Sequence, residues 1–322
     1  MSWNDKIISD GELAPYLGSA AGTLASRVVA LIEQQKTTWP LLREGYESLR
    51  AAEYRRITLP RTDGSEVVIQ LNPKRIRSTA ARVDSASIQG RRCFLCPANL
   101  PPEEKGIAYG SDLVIMCNPY PVLERHVSII HREHVAQRIE GNLEPLLELA
   151  RDLGPEYFVL YNGPQCGASA PDHLHFQACS RELLPIEADL ARSAPSPQVF
   201  RLVGCGRGVI VYRADRREEL AGTIYQTIER LEGLSDPEPM INIIAIYEQR
   251  EWTVYLFPRA VHRPASFYAE GEQRLTISPG AIDMAGVVVM PDEDQFMRIT
   301  AEQVGQVFSE VSLSQGGGGP LR

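Results

Sequence analysis

Apolar residues recur at helical spacing from about residue 19 to 55: Ala25, Val28, Val29, Leu31 and Ile32 first, then Leu41, Leu42, Tyr46 and Leu49. Trp39-Pro40 interrupts the run, because a residue preceding proline is pushed out of the helical region, and two helices are expected. Strand-like segments follow. Ile57-Thr58-Leu59 and Val67-Val68-Ile69-Gln70-Leu71 flank Thr62-Asp63-Gly64 and read as a hairpin. The segments 113–118 and 126–130 read as strands joined by the turn-prone Asn118-Pro119-Tyr120-Pro121. A helix over 141–153 and a strand at 157–161 lead into Asn162-Gly163-Pro164-Gln165-Cys166-Gly167-Ala168-Ser169-Ala170-Pro171, a loop of mostly small residues. Next comes His173-Leu174-His175-Phe176-Gln177-Ala178. Read as a strand, it turns both imidazoles and the carboxamide to one face and Leu174, Phe176 and Ala178 into a core. Strands with short turns and helices grouped between them predict an α+β fold built on an antiparallel sheet.

Ser193-Ala194-Pro195-Ser196-Pro197 marks the best internal boundary. It divides the chain into residues 1–192, residues 193–312 and a mobile, glycine-rich tail over 313–322. Strands are expected near 208–213, 240–247 and 252–257, with a helix near 215–233. The run from His126 to His134 parallels that from Thr253 to His262, each a strand followed by a basic residue and a histidine, which suggests duplication. Hydrophobic content of 43% and charged content of 23% fit a globular chain, and a net charge of −8 argues against a nucleic-acid partner. No apolar run reaches the length of a membrane span and the N-terminus lacks the look of a secretory signal, so no membrane partner is expected and the cytoplasm is the expected location. Within this acidic chain, residues 72–92 are basic (Lys74, Arg75, Arg77, Arg82, Arg91 and Arg92 against Asp84), which fits either an anionic ligand or a solvated loop.

Of the six cysteines, only Cys93 and Cys96 have informative spacing. A CxxC outside an oxidising compartment is a metal or redox pair before it is a structural disulfide. His134 and His173 are the candidates to complete a tetrahedral Cys2His2 zinc site; four protein ligands would leave no open position, so the zinc would be structural. His175 is then free to act as a nucleophile toward phosphorus. Gln177 would offer a neutral donor to phosphoryl oxygens, and small residues in the preceding loop let backbone amides approach a phosphate. His126 is a second candidate near the site, His131 a structural or exposed residue, and His262 is expected in an exposed loop.

Asn162, Gly167-Ala168-Ser169 and His173-Leu174-His175-Phe176-Gln177 resemble the galactose-1-phosphate uridylyltransferase branch of the histidine-triad superfamily. With Leu184-Pro185-Ile186-Glu187 the motif looks closest to GDP-hexose phosphorylases such as GDP-L-galactose phosphorylase, with diadenosine tetraphosphate phosphorylases as neighbours. Ile277 to Gly286 resembles a late segment of these phosphorylases. The resemblance implies a histidine-triad-like sheet with flanking helices in two halves, the second degenerate. It implies a nucleotidyltransferase or phosphorylase in which His175 carries the nucleotidyl group and Gln177 contacts the transferred phosphate. Asn162, Gly167 and Ser169 would hold phosphates, and Asn118 would lie near the nucleoside. The zinc ligands would be Cys93, Cys96, His134 and His173. The implied donor is a nucleotide sugar or dinucleoside polyphosphate, the acceptor phosphate or a sugar phosphate, and a homodimer is allowed. The competing activities are hydrolysis of the same nucleotides and nucleotide binding without turnover.

Overall fold

The computed structural model describes residues 2–18, 22–75, 87–88, 90–193 and 198–313. Most of the basic stretch (Arg77, Arg82 and Asp84 included), most of the Ser193–Pro197 boundary and all but the first residue of the tail lie outside those residues. After short helical turns within residues 3–16, the first long helix, α1 (Leu24–Thr38), starts behind Thr23, whose side chain accepts a hydrogen bond from the Ser26 amide. It ends at Trp39, held extended, and Pro40 opens α2 (Pro40–Arg50). The expected hairpin forms as β1 (Glu53–Thr58) and β2 (Glu66–Leu71). A strand the sequence reading did not anticipate, β12 (Val287–Met290), joins β2 in parallel and makes a three-stranded sheet.

The main sheet has nine strands: β3 (Gly106–Tyr109), β4 (Leu113–Cys117), β5 (Val127–His131), β6 (Tyr157–Asn162), β7 (His175–Ser180), β8 (Val199–Arg201), β9 (Ile210–Ala214), β10 (Ile241–Glu248) and β11 (Glu251–Pro258). They lie in the order β3-β4-β5-β7-β6-β10-β11-β9-β8, every pair antiparallel. With α3 (Leu143–Leu153) and α4 (Arg217–Arg230), the order β5-α3-β6-β7 recurs as β9-α4-β10-β11, and the two copies meet where β6 pairs β10. In that arrangement β5 corresponds to β9. The sequence parallel between residues 126–134 and 253–262 therefore matched strands that are not equivalent. Period two explains both buried faces. Leu174, Phe176 and Ala178 join one apolar cluster with α1, α2, α3 and α4, while Phe158, Leu160, Ile244 and Phe257 face a second one that contains β2 and β12. No helix of the described residues is long and apolar enough to cross a membrane.

Candidate active site

His173 sits in the turn just before β7 rather than on the strand; its amide bonds the Ala170 carbonyl. Its Nε2 lies 2.7 Å from the His131 carbonyl oxygen and donates to it, which leaves Nδ1 as a lone-pair donor. That Nδ1 lies 3.3 Å from Cys93 Sγ and 3.7 Å from Cys96 Sγ, and His134 Nδ1 lies 3.2 Å from Cys96 Sγ. All four ligand atoms fall within 4.8 Å of one another. A tetrahedral zinc with ordinary bond lengths separates its sulfur and nitrogen ligands by about 3.6 Å, so the donor set fits that ion. Burial pushes the Cys93 thiol up to about 11 and His173 down to about 4. The imidazole is thus already neutral, as a ligand must be, and a bound cation would supply the charge that makes the thiol a thiolate.

His175 is kept out of this cluster. Its Nδ1 donates to the His173 carbonyl at 2.8 Å, fixing the tautomer with the lone pair on Nε2. Burial lowers its proton affinity, with the carbonyl bond opposing. The ring is 4% exposed and lines a cavity of about 500 Å³. Asn118, Asn162, Gly167, Ser169 and Gln177 line the same cavity. Every residue expected to bind substrate or act on it is thereby brought to one place.

Of the residues that orient this set, the sequence reading placed only His126 near the site and missed Gln137, Asn242 and Arg259. Gln137, in the loop after β5, accepts from the His175 amide at 2.8 Å and donates to the His175 and Asn162 carbonyls at 3.0 and 2.9 Å. His126 is wholly buried and acts on Gln177. The Val122 amide donates to its Nδ1, so Nε2 carries the proton and donates to Gln177 Oε1 at 2.7 Å. The Gln177 amide nitrogen is then the atom left for a ligand. Asn162 is fixed in the same manner, its Oδ1 accepting from Asn242 Nδ2 and from the Ala281 amide, both at 2.8 Å. Asn242 is held in turn by buried Arg259 at 2.6 Å. Gly167 has φ +112°, and a Cβ there would stand 2.9 Å from Gly280 Cα. Both the backbone angle and the contact require glycine.

The second half completes the cavity with His262, Arg263, Ser278 and residues 280–283. His262 is thus not in an exposed loop. Burial, helped by Arg263 and Arg259, drops it to about 4. Its signal in the sequence was adjacency to Arg263 at the end of a strand, which local pattern alone does not separate from a surface loop. His131 is half-buried, and its Nδ1 accepts from the Glu133 amide.

Residues 31–180 match the family described as a domain of unknown function, DUF4922, and residues 189–317 match the GDPGP1-like C-terminal domain. The structure of yeast Ap4A phosphorylase Apa2 in complex with AMP is similar, with a TM-score of 0.59 at 14% identity over 89% of this chain and 98% of that one. The same enzyme in complex with Ap4A gives 0.57 at 15% identity over 86% and 97%. The chain shares the fold of yeast Ap4A phosphorylase Apa2, an antiparallel sheet with flanking helices. A search of curated proteins gave no match. Only the first half of the chain carries the His173/His175 pair. A separate cavity of about 780 Å³ is lined by Arg181 and Glu187 from the first half and by Arg213, Glu248 and Glu251 from the second, with no histidine among its described lining residues.

Proposed function

We propose that the protein is a nucleotidyltransferase or phosphorylase that moves a nucleoside monophosphate group through a covalent intermediate on His175. One observation carries the reading: the hydrogen bond from His175 Nδ1 to the His173 carbonyl, which leaves a neutral imidazole with its Nε2 lone pair in the cavity. That lone pair attacks the α-phosphorus of a nucleoside diphosphate sugar or dinucleoside polyphosphate. The P–O bond to the departing sugar phosphate or nucleotide breaks as the P–N bond forms. Positive charge developing on the ring is held by the same carbonyl. An oxygen of phosphate or of a sugar phosphate then attacks the same phosphorus, the P–N bond breaks, and His175 returns to its starting form.

The Gln177 amide, aimed by His126, donates to a phosphoryl oxygen in both steps. It cannot protonate a leaving group, so the site suits good phosphate leaving groups and transfer over hydrolysis. Asn162, Gly167 and Ser169 hold phosphates, and Asn118 lies toward the nucleoside. Cys93, Cys96, His134 and His173 hold a zinc ion, which when bound fixes the turn carrying the His173 carbonyl. We assign residues 1–192 to the half that carries the chemistry and residues 193–312 to a half that closes its cavity.

Incubation with radiolabelled nucleotide sugar or dinucleoside polyphosphate should leave an acid-labile, base-stable label on the wild-type protein and none on His175→Ala. A labelled His175→Ala protein, or a wild-type protein that never labels while turning over, overturns the intermediate. Release of a nucleotide only when phosphate or a sugar phosphate is supplied distinguishes transfer from hydrolysis.

A further inference from the structure

Glu238 is not among the described residues that line the nucleotide cavity; it borders a separate one of about 610 Å³. It lies in the segment 235–240 that leads into β10. Its Oε2 accepts from the Ile139 amide at 2.8 Å, and its Oε1 accepts from the Tyr161 hydroxyl at 2.5 Å. Those partners stand 99 and 77 residues away along the chain. The segment that carries the carboxylate is stiff, because Pro237 and Pro239 flank it. Ser235 Oγ donates to the Glu238 carbonyl at 2.6 Å, and Arg138 donates to the Pro237 carbonyl at 3.3 Å. Burial pushes the Glu238 carboxyl up, while the Tyr161 hydroxyl, the Ile139 amide and Arg138 favour its charged form.

Both partners adjoin the clamp on His175. Ile139 is two residues beyond Gln137 in the loop after β5, and Tyr161 is one residue before Asn162 on β6. The Gln137 side chain bonds the amide and carbonyl of His175 and the carbonyl of Asn162. The contacts therefore close a ring. One carboxylate holds the loop from which Gln137 reaches and also the strand on which Gln137 ends. The Tyr161 ring packs in addition on Phe176, the residue between His175 and Gln177, with ring centroids 6.2 Å apart. A carboxylate accepts at both oxygens, and its charge-assisted bonds are shorter and stronger than neutral ones.

Taking the nucleotidylation of His175 proposed above as the reaction, we infer that Glu238 is a positioning residue for it, acting through Gln137. The carboxylate meets no substrate. Its effect falls on where His175 Nε2 stands, and so on the rate of attack at phosphorus, while the groups that hold the nucleotide keep their places.

The test is single-turnover labelling of the full chain with radiolabelled Ap4A, ADP-glucose or a GDP-hexose, whichever labels the wild type. The concentration dependence separates rate from affinity. Glu238→Ala should slow labelling roughly ten- to a hundredfold, the cost of a displacement approaching about 1 Å, with affinity within about threefold of wild type. Tyr161→Phe keeps the ring, removes one arm of the ring of contacts and should slow labelling by about threefold or more. Adding Glu238→Ala to Gln137→Met should slow the reaction by less than about threefold beyond Gln137→Met alone, because the link is already gone. A carboxylate that only stabilised the fold would multiply its full effect onto that of Gln137→Met. Wild-type rates in both single variants, a loss of affinity that accounts for the loss of rate, or multiplied effects in the double variant overturn the inference and leave the His175 intermediate standing. A wild-type protein that turns over one of the three substrates without becoming labelled overturns both. If Glu238→Ala fails to fold, Tyr161→Phe decides the matter, alone and combined with Gln137→Met.

Discussion

Replacing Gln137 by methionine tests whether the His175 backbone is positioned from outside its own strand. Methionine keeps the length and buried volume of glutamine but none of its hydrogen bonds. Three contacts vanish: one with the His175 amide, one with its carbonyl and one with the Asn162 carbonyl. Gln137 is 1% exposed, so water does not replace it freely. An orphaned buried amide costs about 1–3 kcal/mol and each of the two lost carbonyl bonds about 1 kcal/mol, giving about 3–5 kcal/mol in all. For a chain of this size that is a fall in Tm of roughly 5–10 °C. The same bonds fix where His175 Nε2 stands, and a displacement of about 1 Å slows a positioned reaction roughly a hundredfold. Thermal unfolding and the rate of single-turnover nucleotidylation measure the two effects. A variant that labels at the wild-type rate with an unchanged Tm refutes the reasoning, because it would mean that β7 holds its register without the clamp.

Three further outcomes are expected. The purified protein should carry one zinc per chain; stripping it with a chelator, or Cys93→Ser, should lower stability by on the order of several kcal/mol, read by metal analysis and thermal unfolding. Gly167→Ala should cost about 3 kcal/mol and abolish nucleotide binding in titration calorimetry, since φ +112° and a backbone neighbour at 2.9 Å leave no room for a methyl group. Stability should fall as pH drops from about 6.5 toward 4, because His262 stays neutral in the folded chain down to about 4 while the unfolded chain takes up a proton below about 6.5. The unfolded state binds more protons across that window, so the loss reaches at most about 3 kcal/mol, and His262→Asn should flatten the profile measured by denaturant titration.

Local pattern carried a large part of this protein. The α1–α2 break at Trp39-Pro40, the β1–β2 hairpin and the alternation that sends Leu174 and Phe176 one way and His175 and Gln177 the other are consequences of backbone geometry within a few residues. The spacing of Cys93 and Cys96, with two later histidines, likewise named four side chains that the fold brings within ligand distance. Tertiary structure decided what those residues can do. Gln137 on His175, His126 on Gln177, and Asn242 with Ala281 on Asn162 join positions 38 to 119 residues apart. A glutamine or asparagine that satisfies a distant backbone group looks, in sequence, like any other polar residue. The same holds for His262, which is brought to the cavity by the packing of the second half against the first. Sequence sets which faces are apolar, because period follows from the backbone. Which polar atom is left free to meet a ligand depends on long-range partners that occupy all the others.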